Sequence, residues 1–157
     1  MRTLGVDVGE RRVGLALSDS SGTLATPLGK VRSSTDLMQG VEAVGREIER
    51  LVAEDDGLGG VVVGVPRGLD GRPHEQTKQA IAFVEALRRR TTLPIALQDE
   101  RLSSREAESR LALREKDWRR RKARLDAAAA AVILQDYLDT VGKSGIGSPK
   151  EILGDAT

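Results

Sequence analysis

The first thirty-one residues constrain the fold more than any other part of the chain. They hold three short apolar runs, Arg2 to Val8, Val13 to Asp19 and Thr23 to Val31, which read as strands, with turn signals at Gly9 to Arg12 and Ser20 to Gly22. A parallel pair needs a crossover of a dozen or more residues, so links this brief make antiparallel hairpins.

Beyond them the pattern lengthens into alternating helical and extended segments. Thr35 or Asp36 can cap a helix that runs to about Glu54, with Val41, Val44, Ile48, Leu51 and Val52 as its apolar stripe, and Gly57 to Gly60 break it. Val61 to Val65 reads as a buried strand, and Pro66 to Pro73 as a loop. A helix from about His74 to Arg90 is expected to bury Ile81, Val84 and Leu87, with His74 itself at the surface, and Pro94 to Gln98 is the fifth strand. Ser103 and Glu106 have capping-box spacing and open a helix reaching at least Leu113. A basic segment intervenes before a last helix over Leu125 to Val141. The expected architecture is α/β: a mixed five-stranded sheet, three antiparallel strands followed by two parallel ones, flanked by helices. A chain of 157 residues suits one such domain, over residues 1–141, with residues 142–157 a disordered tail rich in Gly and Ser.

Composition removes several chemistries. There is no cysteine, which excludes disulfides, thiolate zinc sites and cysteine nucleophiles and suits a reducing cytoplasm. Asp7, Glu10, Arg11 and Arg12 interrupt any leader-like apolar run at the N-terminus, and the longest apolar stretch, Ala127 to Leu134, is too short to span a bilayer. The expectation is a soluble, cytoplasmic protein with no membrane partner, either a monomer or a weak homodimer.

The net charge is only +1, yet it is unevenly spread. Between Arg110 and Arg124 there are eight basic residues against two acidic ones, a patch of the size a polyanion needs. Phe83, Trp118 and Tyr137 are the only aromatics, so bases cannot be read on a stacking platform. Nucleic acid, RNA or DNA, would be held through its phosphates, by Arg119, Arg120 and Arg121 with one stacking contact from Trp118. Arg11 and Arg12 in the first hairpin are the next candidates.

In sheets of this kind the functional crevice lies outside the carboxyl ends of the strands, which draws attention to acids there. Asp7 shares a strand face with Gly5 and Gly9, so its carboxylate stands in cleared space, although a turn-forming aspartate beside Gly9 reads equally well. Asp99 and Glu100 end the fifth strand on opposite faces, so only one can join Asp7; a solvated strand end balanced by Arg101 is the plainer account. Asp126 opens a helical stripe continued by Ala130, Ile133, Leu134, Tyr137 and Leu138, where a carboxylate is either a metal ligand or a favourable charge at a helix start. Three acids with neither cysteine nor a second histidine describe a site for a hard cation, Mg²⁺ or Mn²⁺. Such ions supply a nucleophilic water and clamp the attacking and leaving oxygens of a phosphodiester.

The run from Gly5-Val6-Asp7-Val8-Gly9 through Arg11-Arg12-Val13-Gly14-Leu15-Ala16-Leu17-Ser18-Asp19 resembles the opening of the YqgF/RuvX family, pre-16S rRNA nucleases also described as Holliday-junction resolvase-like. Val62-Val63-Gly64-Val65-Pro66 with Asp70-Gly71, Asp99-Glu100-Arg101-Leu102-Ser103, and Asp126-Ala127-Ala128-Ala129 with Ile133-Leu134-Gln135 resemble its later motifs, in order, over about residues 1 to 140. The resemblance implies a ribonuclease H-like fold, a metal-dependent nuclease maturing precursor 16S ribosomal RNA or resolving branched DNA, and catalytic, metal-binding acids at Asp7, Glu100 and Asp126. It favours Glu100 over Asp99. Where family loops often have an apolar residue or asparagine after the proline, this chain has Arg67-Gly68-Leu69. Two rivals belong to other classes. The Asp-x-Gly hairpin also resembles the phosphate-binding start of actin-like ATPases and sugar kinases, which need a second lobe this length cannot supply. A non-catalytic nucleic-acid-binding or ribosome-assembly factor would bind without hydrolysis.

Overall fold

The computed structural model describes residues 1–9, 12–32, 36–66, 75–100 and 118–144, with backbone alone at 32, 100, 118–126 and 142–144. Its elements are β1 (Arg2–Val8), β2 (Arg12–Ser18), β3 (Ala25–Arg32), α1 (Leu37–Ala53), β4 (Leu58–Pro66), α2 (Glu75–Arg90), β5 (Ile95–Glu100) and α3 (Trp118–Ser144). The five strands form one sheet in the order β3-β2-β1-β4-β5. β2 is antiparallel to both β1 and β3, while β4 is parallel to both β1 and β5, as the lengths of the connections require. The fold is ribonuclease H-like.

Each face of the sheet has its own core because each face carries helices. Leu4, Val6, Val13, Leu15, Val61 and Val63 pack beneath α1 and α2, whereas Ala16, Val62 and Ala96 pack beneath α3. That is why β4 reads as an unbroken apolar run: both of its faces are covered. α1 begins where expected, with the Asp36 carboxylate accepting the Met38 N–H at 3.0 Å. α2 is tied to α1 by Arg90, whose guanidinium lies over Gly45 and pairs with Glu42 and Glu49 at 2.9 and 2.8 Å.

Several expectations are corrected. Val52 and Ile81 are not core residues, being 49% and 38% exposed. Each lies one residue, about 100° of helix, from the buried stripe, which runs through Leu51 in α1 and through Thr77, Ala80, Phe83, Val84 and Leu87 in α2. β3 starts at Ala25 because the Asp19 carboxylate holds the turn before it, accepting the Thr23 and Leu24 N–H groups at 2.8 and 3.1 Å. β4 starts three residues early, at Leu58: Gly59 and Gly60 continue the strand, and Gly59 leaves room for Met1. β5 continues to Glu100, opposite Pro66. α3 starts at Trp118, so the end of the basic segment is helical rather than intervening. Pro66, expected in the loop, ends β4, and residues 142–144, expected in the tail, continue α3; the helix expected from Ser103, residues 67–73 of the loop, His74 and residues 145–157 lie outside the described residues.

Candidate active site

β1, β4 and β5 run the same way, so Val8, Pro66 and Glu100 end at one edge of the sheet. Side chains alternate along each strand, and the register fixes which positions share a face. Gly5 stands beside Ala16 and Val62, and Val62 beside Ala96, all on the α3 side. Asp7 is two residues beyond Gly5 and is half-buried, while position 100 has the parity of Ala96 and lies opposite Pro66. Asp99 has the parity of Ile95 and Leu97, which belong to the α1 and α2 side. Backbone register therefore separates the two neighbouring acids, which strand spacing alone left open.

α3 is seated on this face by glycine. A Cβ at Gly5 would lie 2.7 Å from Leu134 Cβ and 3.1 Å from the Ala130 carbonyl oxygen, and one at Gly64 would lie 2.4 Å from Ile133 Cδ1. The cleared space at Gly5, two residues before Asp7, thus admits the helix backbone. Farther along, the Gln135 amide accepts the Ala25 N–H and donates to the Thr23 carbonyl, both at 2.9 Å, at the level where Ser18 accepts the Thr3 N–H. From Ala130 to Gln135 the helix has moved from the middle of β1 toward its start, so its amino-terminal half lies toward the carboxyl edge. One turn back from Ala130 is Asp126, a rise of about 6 Å. Gly5 to Asp7 advances about 6.6 Å along the strand. From its seat over Gly5, α3 therefore runs back toward the carboxyl edge, the direction in which position 126 lies.

Two backbone contacts support this edge; the sequence marked the first only as a turn and did not mark the second. Gly9 closes the first hairpin, donating its N–H to the Arg12 carbonyl at 2.9 Å, and a Cβ there would meet that oxygen at 2.8 Å. Thr77, fully buried in α2, donates its hydroxyl to the Pro66 carbonyl and fixes the end of β4 beside position 100. The available signal was a polar residue on the apolar stripe of α2. Of the basic candidates, Arg12 opens β2 on the Asp7 face, two residues before Gly14. Arg11 lies outside the described residues, and Trp118, Arg119, Arg120 and Arg121 form the first turn of α3, known by backbone alone. Among the described residues no three His, Cys, Asp or Glu side chains gather; of the acidic trio, Asp7 alone has its side chain described.

Comparison with known proteins agrees with this architecture. The family model described as "RuvX: Holliday junction resolvase" matches residues 1–140. A protein of Anaeromyxobacter sp. (strain Fw109-5), named a pre-16S rRNA nuclease, is 45% identical over 142 residues, covering 88% of this chain and 97% of its own. A relative of the same name from Thermoanaerobacter pseudethanolicus is 35% identical over 144 residues, covering 89% and 97%. Among solved structures, T. thermophilus RuvC in complex with a Holliday junction aligns with a TM-score of 0.52 at 16% identity, over 95% of this chain and 99% of that one. The fowlpox virus resolvase with Holliday junction DNA gives 0.53 at 15%, over 90% and 99%. The sequence matches and the fold lead to one assignment: this chain belongs to the RuvX family.

Proposed function

We propose that the protein is a divalent-metal-dependent nuclease that hydrolyses phosphodiester bonds of nucleic acid in the maturation of precursor 16S ribosomal RNA. What supports the reading is that positions 7 and 100 share the face covered by α3 at the carboxyl edge of the sheet, and that α3, which carries position 126, is seated closely on that face. Their donor chemistry is oxygen alone, which fits Mg²⁺ or Mn²⁺ and disfavours softer ions. Asp7, Glu100 and Asp126 would hold the metal, which supplies a nucleophilic hydroxide and stabilises charge on the phosphoryl oxygens. The chain's own contribution is placement. β1 and β5 hold two of the acids on a rigid sheet, Thr77 and Gly9 fix the adjoining backbone, and the close seat of α3 brings up the third. Arg12 at the start of β2, with Arg11 before it, and the first turn of α3 at Trp118, Arg119, Arg120 and Arg121 are the positively charged flanks that would hold the phosphate backbone.

The reading takes the protein as a monomer or a weak homodimer. A cytoplasmic setting is consistent with the absence of cysteine and with no described helix being long and apolar enough to cross a membrane. A second reading, cleavage of branched DNA, is favoured by the family description and by the junction-bound neighbours. A panel of labelled precursor RNA, single strands and four-way DNA junctions, each with Mg²⁺, Mn²⁺ or chelator, tests both. Cleavage should require the metal and fall to background in Asp7→Asn, Glu100→Gln and Asp126→Asn, with circular dichroism unchanged. Near-normal activity in any one variant removes that residue from the site, and binding without hydrolysis across the whole panel indicates an assembly factor instead.

A further inference from the structure

Strand β3 changes face partway along its length. Leu15 pairs with Gly29 and Ala16 with Pro27, so Leu28 is an extra residue in a bulge. Gly29 has φ +150°, a conformation that L side chains rarely adopt. Before the bulge, Ala25 packs on the α3 side. If alternation continued unbroken from it, Val31 would lie there too. Instead Val31, opposite Val13, packs into the α1 and α2 core, and Lys30 turns to the α3 side.

The consequence is a row across three strands: Asp7 pairs with Gly14, and Gly14 with Lys30. With strands about 4.8 Å apart, the Cα atoms of Asp7 and Lys30 are roughly 10 Å apart, and the residue between them has no side chain. Lys30 is exposed and has no ion-pair partner among the described residues. Two residues before Gly14 in β2, Arg12 lies on the same face. Bulges beside functional sites commonly re-aim a side chain, and this one delivers a cation to the face that carries Asp7.

We propose that Lys30, turned by the bulge at Leu28 onto the Asp7 face, binds a backbone phosphate flanking the one that is attacked, with Arg12 on the same face. This deepens the nuclease reading and rests on it. The test measures binding of a labelled single-stranded RNA and a four-way DNA junction to Asp7→Asn protein across a salt series, alone and combined with Lys30→Ala or Lys30→Arg. Lys78→Ala, an exposed lysine of α2 on the opposite face, controls for loss of charge. Removing one phosphate contact should weaken binding several-fold and lower the slope of log affinity against log salt by about one. In protein with Asp7 intact, Lys30→Ala should raise KM with little change in kcat, Lys30→Arg should restore it, and Lys78→Ala should move neither quantity. A parent that binds and cleaves while Lys30→Ala keeps its slope and KM overturns this inference alone. A parent that binds no nucleic acid overturns the nuclease reading and this inference with it.

Discussion

At the scale of single residues, Tyr137 shows how a site legible in one respect can be hidden in another. Its place on the buried stripe of α3 follows from helical spacing, and it is 3% exposed in the core under that helix. Among the described residues its hydroxyl has no hydrogen-bond partner, which spacing cannot reveal. Burial pushes the phenol up to about 12, from an ordinary value of 10.0. Because the folded value is the higher one, the unfolded chain loses this proton first. Stability from the neutral phenol is complete below about pH 10 and is lost as pH rises toward about 12. Tyr137→Phe removes an unsatisfied buried group, so at neutral pH it should be neutral or stabilise the protein by about 1 kcal/mol. It should also flatten the alkaline limb between pH 10 and 12. Urea midpoints at pH 7 and pH 11 check both, and a clear loss of stability at pH 7 would mean that the hydroxyl donates a hydrogen bond.

At the scale of elements, the seat of α3 matters most. Gly5→Ala would press a methyl group against the Ala130 carbonyl and Leu134 Cβ, atoms that cannot yield unless the helix moves. The expected cost is about 1–3 kcal/mol by denaturant unfolding. Cleavage should fall by more than the lost folded fraction explains, because residue 126 is displaced with the helix. Gly64→Ala meets only the end of the Ile133 side chain first and should be the milder variant. Equal loss of stability and activity in Gly5→Ala would separate the helix seat from the site. The elements themselves were largely legible: β1 has the expected ends, Arg2 and Val8, and α1 has the expected cap, Asp36. What was not legible depended on partners. The role of Gly5 needed α3, the face on which each of Asp99 and Glu100 lies needed the register with β4, and the face of Lys30 needed the bulge opposite Leu15 and Ala16. Val52 and Ile81 were misjudged because an apolar residue beside a stripe has the same composition as one on it.

For the whole molecule, the proposed acid cluster sets folding stability against metal binding. Carboxylates held together repel one another without a cation, so Asp7→Asn should melt higher than the parent in chelator. Adding Mn²⁺ to about a hundred times its dissociation constant should stabilise the parent by about 2.7 kcal/mol, a rise in melting temperature of roughly 5–10 °C, with little effect on Asp7→Asn. Scanning fluorimetry across a metal series measures this, and a metal-independent parent would remove the ion from the site. The sheet order β3-β2-β1-β4-β5 also has a consequence for synthesis. β1 lies at the centre, yet its second neighbour, β4, is translated some fifty residues later, and α3 follows β5. A chain emerging from the ribosome therefore exposes the β4-facing edge of β1 for seconds, at translation rates of about 5–20 residues per second. On the proposed reading the acid set is also incomplete until residue 126 has emerged. A nascent chain shorter than that would be unable to cut the RNA beside it.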